Sequence, residues 1–200
     1  MNSTWPSSTV CRNGGARLAD ELPFEIRIAG QGLDRASSPN IPESEKLSSG
    51  HAPLSLQLTE LAGLVDEVLA NHPHRDRIQT RLEPVTIAVD VLRFKLLLKN
   101  LLDNALQYSS DSSAPVEIIL NTDTQAVILE VMDQGIGISA AEIPRLNEAF
   151  YRPDSARQRN TGGYGPGLYL CQLIVDAHRG VLRIESVPKK GTRVIVSLPY

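Results

Sequence analysis

Cysteine is nearly absent: Cys11 and Cys171 are the only two, far apart in sequence and in no CxxC pair. They read as unpaired thiols in a reducing compartment. No apolar run approaches the roughly 20 residues needed to cross a bilayer, and no signal-like stretch is present. These residues are expected to be cytoplasmic, with any membrane anchor lying outside them. Charge of one sign is also missing, since 20 basic and 23 acidic residues leave a net of −3 with no Lys/Arg block. Nucleic acid is therefore not an expected partner. No internal repeat is visible. What is there is 42% hydrophobic residues in a chain of 200, enough for one domain with its own core.

Residues 1–42 are rich in Ser, Asn, Gly and Pro, with one short apolar alternation, PFEIRI. They read as a disordered, linker or non-native segment outside the ordered fold. A helical pattern follows in LTELAGLVDEVLANH, where Leu61, Leu64, Val65 and Leu69 share a face and Thr59 or a neighbouring acid starts the helix. Thr86 to Val89 predicts a strand, Val91 to Tyr108 a long helix, and VEIILN and AVILEVM a strand pair across Thr122 to Gln125. Ser139 to Asn147 predicts a short helix capped by Ser139, and Pro166 to His178 a further one. Two closing strands, VLRIES and RVIVSLP, are joined by Pro188 to Gly191. Hairpin strands with helices left to cover one face imply a two-layer α/β sandwich with a mixed, largely antiparallel sheet.

On the long helix, Phe94, Leu98, Leu101 and Ala105 form an apolar face, and Asn100, Asn104 and Gln107 a polar strip beside it. An Asn carbonyl oxygen is a neutral hard ligand suited to Mg²⁺ that keeps waters and bridges phosphate oxygens. Asn104 is the expected metal ligand. Asn100, one turn earlier, is placed to orient a water or the phosphates, but an amide cannot act as a general base.

Asp133 ends an apolar strand and runs into Gln134-Gly-Ile-Gly137, so its carboxylate stands beside a backbone free to bend. An ionised carboxylate only accepts hydrogen bonds, which suits the amino group of adenine and repels the carbonyl of guanine. Ile136 and Ile138 would supply apolar contact to the purine. Gly162-Gly-Tyr-Gly-Pro-Gly167 leads into a helix whose free N–H groups and dipole favour phosphate. It is not a P-loop, because no Gly-Lys-Ser/Thr follows. Between the loops, Phe150-Tyr151-Arg152 and the polar stretch through Asn160 would form a lid over nucleotide.

In order, LRFKLLLKNLLDNALQYSS, VMDQGIGIS, LNEAFYRPD and TGGYGPGLYLCQLIVDAHRG, closed by GTRVIVSLP, resemble the boxes of the ATP-binding catalytic domain of sensor histidine kinases. That domain belongs to the superfamily shared with gyrase, Hsp90 and MutL. The resemblance covers residues 54–200, and ESEKLSSG within 43–53 is similar to the end of the family's second dimerisation helix. It implies a Bergerat-type fold that binds ATP with Mg²⁺. By the same resemblance Asn104 is the Mg²⁺ ligand, Asp133 the adenine reader, and Gly135 and Gly137 the hinge. Arg152 is a lid residue near phosphate, Gly163, Gly165 and Gly167 line the triphosphate, and Thr192 assists from the last strand. Asn100, Asn104 and Arg152 form the catalytic set, and Gln107, Tyr108, Tyr151, Tyr164 and Leu168 complete the nucleotide pocket.

The departures carry expectations of their own. Gln107 stands where the family usually has a phosphate-facing Lys, which predicts weaker nucleotide binding or slower transfer. Pro166 replaces a common Leu and stiffens the lid. Hydrolysing relatives carry a Glu at the place of Asn100, so transfer to a protein side chain is expected rather than hydrolysis. None of the four histidines lies in an HExxTP phosphoacceptor motif. The chain is therefore expected to present the γ-phosphate to a histidine of a separate dimerisation domain, which passes it to a response regulator, and to be a monomer. Two rivals stay open: a stand-alone anti-sigma-factor-type serine kinase and a degenerate nucleotide-binding interaction module.

Overall fold

A computed structural model describes the backbone of residues 24–28 and, in full, residues 53–110, 113–143, 146 and 167–200. In chain order the elements are β1 (Phe24–Ile28), β2 (Leu56–Glu60), α1 (Leu61–Ala70), β3 (Ile78–Leu82), β4 (Thr86–Asp90), α2 (Val91–Tyr108), β5 (Val116–Thr122), β6 (Ala126–Met132), α3 (Gly167–Ala177), β7 (Val181–Val187) and β8 (Gly191–Pro199). Six strands form one sheet in the order β1-β7-β8-β6-β5-β3, and β2 pairs with β4 in a separate ribbon. Within the large sheet only β3 and β5 run parallel. The expected mixed, largely antiparallel sheet under one helical layer is what the chain forms.

Alternation along the strands decides which face is covered. Val116, Ile118 and Leu120 of β5, Leu129 and Val131 of β6, Leu182 and Ile184 of β7, and Val196 and Leu198 of β8 are all buried. Against them lies the apolar stripe of α2, with Phe94, Leu97, Leu98, Leu101 and Leu102 buried. Each such side chain contributes about 1.5–3 kcal/mol by leaving water. On the opposite face Arg193 spans three strands, with Nε and Nη2 at 2.9 and 2.7 Å from Glu130 and Nη1 at 3.2 Å from Glu185.

Caps fix the helix starts. Asp90 Oδ1 accepts the N–H of Arg93 at 3.1 Å, closing the first turn of α2. For α1 the cap is Glu60, whose carboxylate accepts from Ala62 and Gly63 at 3.0 and 2.6 Å. Thr59 does not start this helix. Its hydroxyl donates to Gln57 O within β2, because pairing with β4 holds Leu56–Glu60 extended.

Two other expectations are corrected and one strand is added. Phe24–Ile28 is an edge strand on β7, so the segment 1–42 is not wholly outside the fold. Ile78–Leu82, for which no element is expected from the sequence, pairs in parallel with β5. At Ser139 the chain turns as expected, its carbonyl accepting from Glu142 N and Ile143 N, and Ile143 and Leu146 are helical, but the Ser139 hydroxyl donates to Glu142 at 2.6 Å instead of capping backbone; residues 144, 145 and 147–166 lie outside the described residues. Among the described residues no helix is long and apolar enough to cross a membrane.

Candidate functional site

The site lies where the C-terminal half of α2, the end of β6, the start of α3 and the β7–β8 turn converge. Gly167, the first residue of α3, approaches α2 so closely that a Cβ there would stand 3.3 Å from Asn100 Oδ1 and 3.4 Å from Asn104 Nδ2. Asn100 donates its amide hydrogen to Leu96 O at 2.8 Å, so its carbonyl oxygen is the end turned toward Gly167. Asn104 is different. Its Nδ2 is buried without a hydrogen-bond partner, an arrangement that costs about 1–3 kcal/mol unless something polar joins it. A buried N–H donor left open at a helix N-terminus fits a phosphate oxygen, while only the Oδ1 of the same amide could serve a metal ion.

Asp133 follows β6 and is only 7% exposed. Its N–H donates to Thr192 O at 2.9 Å, and its Oδ1 accepts from Gly135 N at 2.8 Å and Thr192 N at 3.3 Å. Burial pushes its pKa up to about 6, the two N–H bonds offsetting part of that. The carboxylate therefore titrates near neutrality. Both bonds fall on Oδ1, and among the described residues Oδ2 receives none.

The loop after Asp133 is pinned on both sides. Gly135 lies against the carbonyl of Tyr108, where a Cβ would collide, and Ile136 N donates to that same oxygen at 3.3 Å. Tyr108 thus contributes its backbone to the loop. Gly137 has φ +65 and lies against Val187 O, a position closed to any side chain. Ile136 O accepts from Lys189 at 2.7 Å, and Ile138 packs against the core. Leu168 also packs against the core, and Gln107 is half-buried on α2. Tyr151, Arg152, Gly163, Tyr164 and Gly165 lie outside the described residues.

Sequence reasoning missed Ser186. Its hydroxyl, 3% exposed, accepts from Ile138 N at 2.8 Å, donates to Gly191 O at 2.8 Å and lies 3.0 Å from Thr192 Oγ1. A signal was present: Ser186 occupies the inward register after Leu182 and Ile184, where a polar residue needs partners.

The family described as Histidine kinase-, DNA gyrase B-, and HSP90-like ATPase matches residues 89–200. Sensor histidine kinase YkoH of Bacillus subtilis (strain 168) is 40% identical over 141 residues, 70% of this chain and 30% of that protein. Sensor histidine kinase WalK of the same organism is 33% identical over 135 residues, 67% of this chain and 21% of that protein. The chain thus spans less than a third of either relative's length. Among solved structures, the mycobacterial sensor histidine kinase MprB superposes with a TM-score of 0.60 at 25% identity, covering 72% of this chain and 97% of that one.

Proposed function

Because this chain belongs to the histidine kinase-, DNA gyrase B- and HSP90-like ATPase family, we propose that it is the ATP-binding catalytic domain of a two-component sensor histidine kinase. It presents the γ-phosphate of ATP to a histidine of a dimerisation domain, from which a response regulator receives it. A cytoplasmic setting, where ATP and such a regulator are found, belongs to the same proposal. The observation that carries it is that α2 supports both halves of the site: the Asn100–Asn104 pair faces Gly167 at the N-terminus of α3, and Tyr108 O holds Gly135 and Ile136 of the loop after Asp133, whose Oδ2 is bound by no described residue.

Asp133 reads the adenine amino group, Ile136 lies beside the purine, and Thr192 supports the carboxylate through its N–H. Asn104 would hold Mg²⁺ through its Oδ1, and the ion would supply neutralisation of triphosphate charge. Gly167 lets the first N–H groups of α3 reach phosphate, and Asn100 orients it. Gly163, Gly165, Tyr151, Tyr164 and Arg152 belong to the proposed lid and triphosphate cradle. Catalysis by these groups is positioning and charge neutralisation. Asn100 does not activate water, since its N–H is bound to its own helix and an amide is not a base. The hydrolytic chemistry of other family branches, and the serine-kinase alternative with it, is disfavoured by an Asn where those branches carry a Glu.

Titration with ATP, ADP and GTP, with and without Mg²⁺, tests the reading. Adenine-selective, Mg²⁺-dependent binding that is lost in Asp133→Asn and in Asn104→Ala is expected, followed by transfer to an added dimerisation domain. No nucleotide binding by the wild-type chain would overturn it. Binding without transfer would favour a nucleotide-dependent interaction module instead.

A further inference from the structure

The donors and acceptors around Ser186 can be assigned by counting hydrogens. A serine hydroxyl has one hydrogen to give and two lone pairs. The carbonyl of Gly191 can only accept, so at 2.8 Å it takes that hydrogen. The N–H of Ile138 can only donate, so at 2.8 Å it fills one lone pair. Thr192 Oγ1, 3.0 Å from Ser186 Oγ, must then donate its own hydrogen into the lone pair that is left. With its hydrogen spent, the Thr192 hydroxyl can offer only acceptor lone pairs.

That polarity is placed where it matters. Thr192 is joined to Asp133 by two backbone contacts, its O accepting from Asp133 N at 2.9 Å and its N donating to Asp133 Oδ1 at 3.3 Å. A carboxylate and a hydroxyl with no hydrogen to give therefore belong to two residues that are joined through their backbones. Neither can donate to a ligand. Ser186 is 3% and Thr192 9% exposed, so water does not compete freely for these bonds.

We propose that Ser186 is a positioning residue that fixes Thr192 as a hydrogen-bond acceptor and so sets a preference for a 6-amino over a 6-oxo purine. The proposal rests on the nucleotide reading of the site and assigns this chain's discrimination to a residue that does not touch the base. An exocyclic amino group carries two hydrogens, one for Asp133 and one, given directly, for Thr192. A 6-oxo group meets acceptors from both. In Ser186→Ala the Thr192 hydroxyl regains a free hydrogen and can turn it toward a 6-oxo group.

Calorimetric titration of the full chain with ATP and with inosine triphosphate, both with Mg²⁺, tests this. In Ser186→Ala the ratio of the two affinities is expected to shrink by about tenfold, the size of one hydrogen-bond mismatch. Equal weakening of both nucleotides, with the ratio unchanged, would mean that Ser186 only packs the loop and would overturn the proposal. If Ser186→Ala does not fold, Thr192 carries the test instead. Thr192→Ser keeps the ratio and Thr192→Val shrinks it, whereas an unchanged ratio in Thr192→Val overturns the proposal. Failure of the wild-type chain to bind either nucleotide overturns the site reading itself, a result separable from an unchanged ratio in a chain that binds.

Discussion

The backbone N–H of Asp90 donates to Nε2 of His178 at 3.0 Å, joining the cap of α2 to the end of α3 across 88 residues of sequence. On its other side the ring meets Ile174 O at 2.7 Å, which requires the hydrogen on Nδ1 and leaves Nε2 free to accept. His178→Ala removes both bonds and leaves Asp90 N–H without its partner, so a loss of about 1–3 kcal/mol is expected. Urea unfolding measures it. An unchanged midpoint would show that the tie between the two helices is worth nothing.

Asp133 predicts opposite pH trends for stability and for binding. Its folded pKa of about 6 lies above the 3.8 of a free aspartate, so the folded chain holds this proton more tightly than the unfolded one. The contribution to stability is complete below about pH 4 and is lost as pH rises through about 6, by about 3 kcal/mol at most. Asp133→Asn escapes this loss, so the unliganded variant should be the more stable at pH 7.5 and gain nothing at pH 4. ATP affinity should move the other way in the wild type, rising through about pH 6 as the acceptor ionises, whereas Asp133→Asn should stay without measurable binding at every pH. Parallel trends in the two measurements would refute the assignment.

Arg193→Met leaves Glu130, 4% exposed, with no cation beside it. A loss of about 3–5 kcal/mol is expected. The double variant Arg193→Met with Glu130→Leu should recover most of it, because both charges have then gone. A double variant as unstable as the single one would show that the ion pair, and not the stranded carboxylate, sets the cost.

Gly137→Ala places a methyl group against Val187 O at a φ of +65. Strain and collision together are expected to cost more than about 1 kcal/mol and to displace Ile138 from Ser186. Thermal unfolding and ATP titration should both register the change. Gly63→Ala is the matched comparison, since its Cβ would meet only the end of the Glu60 side chain and its loss should be smaller.

Much of the fold was legible because its signals are short-range. The stripe of Phe94, Leu98, Leu101 and Ala105 names the buried face of α2, and alternation along VEIILN and AVILEVM names the β5–β6 hairpin, each readable within a few turns or residues. Asn104 and Asp133 stood out as polar residues beside such patterns. β3 did not, since Ile78 and Leu82 are weak markers and its reason to exist is a parallel partner 38 positions onward at Val116. Thr59 misled for a related reason: it suits a helix start, but the ribbon with β4 claims it.

By itself the sequence determined which segments become helices and strands, which faces they bury and which residue types are offered to a ligand, because periodicity, caps and turn chemistry act between near neighbours. Only the tertiary structure decided that Asn104 has a buried amide without a partner, that burial lifts Asp133 toward neutrality, and that Ser186 consumes the hydrogen of Thr192. Those properties depend on what is brought against each group from distant parts of the chain. Desolvation and hydrogen-bond completion have no local code.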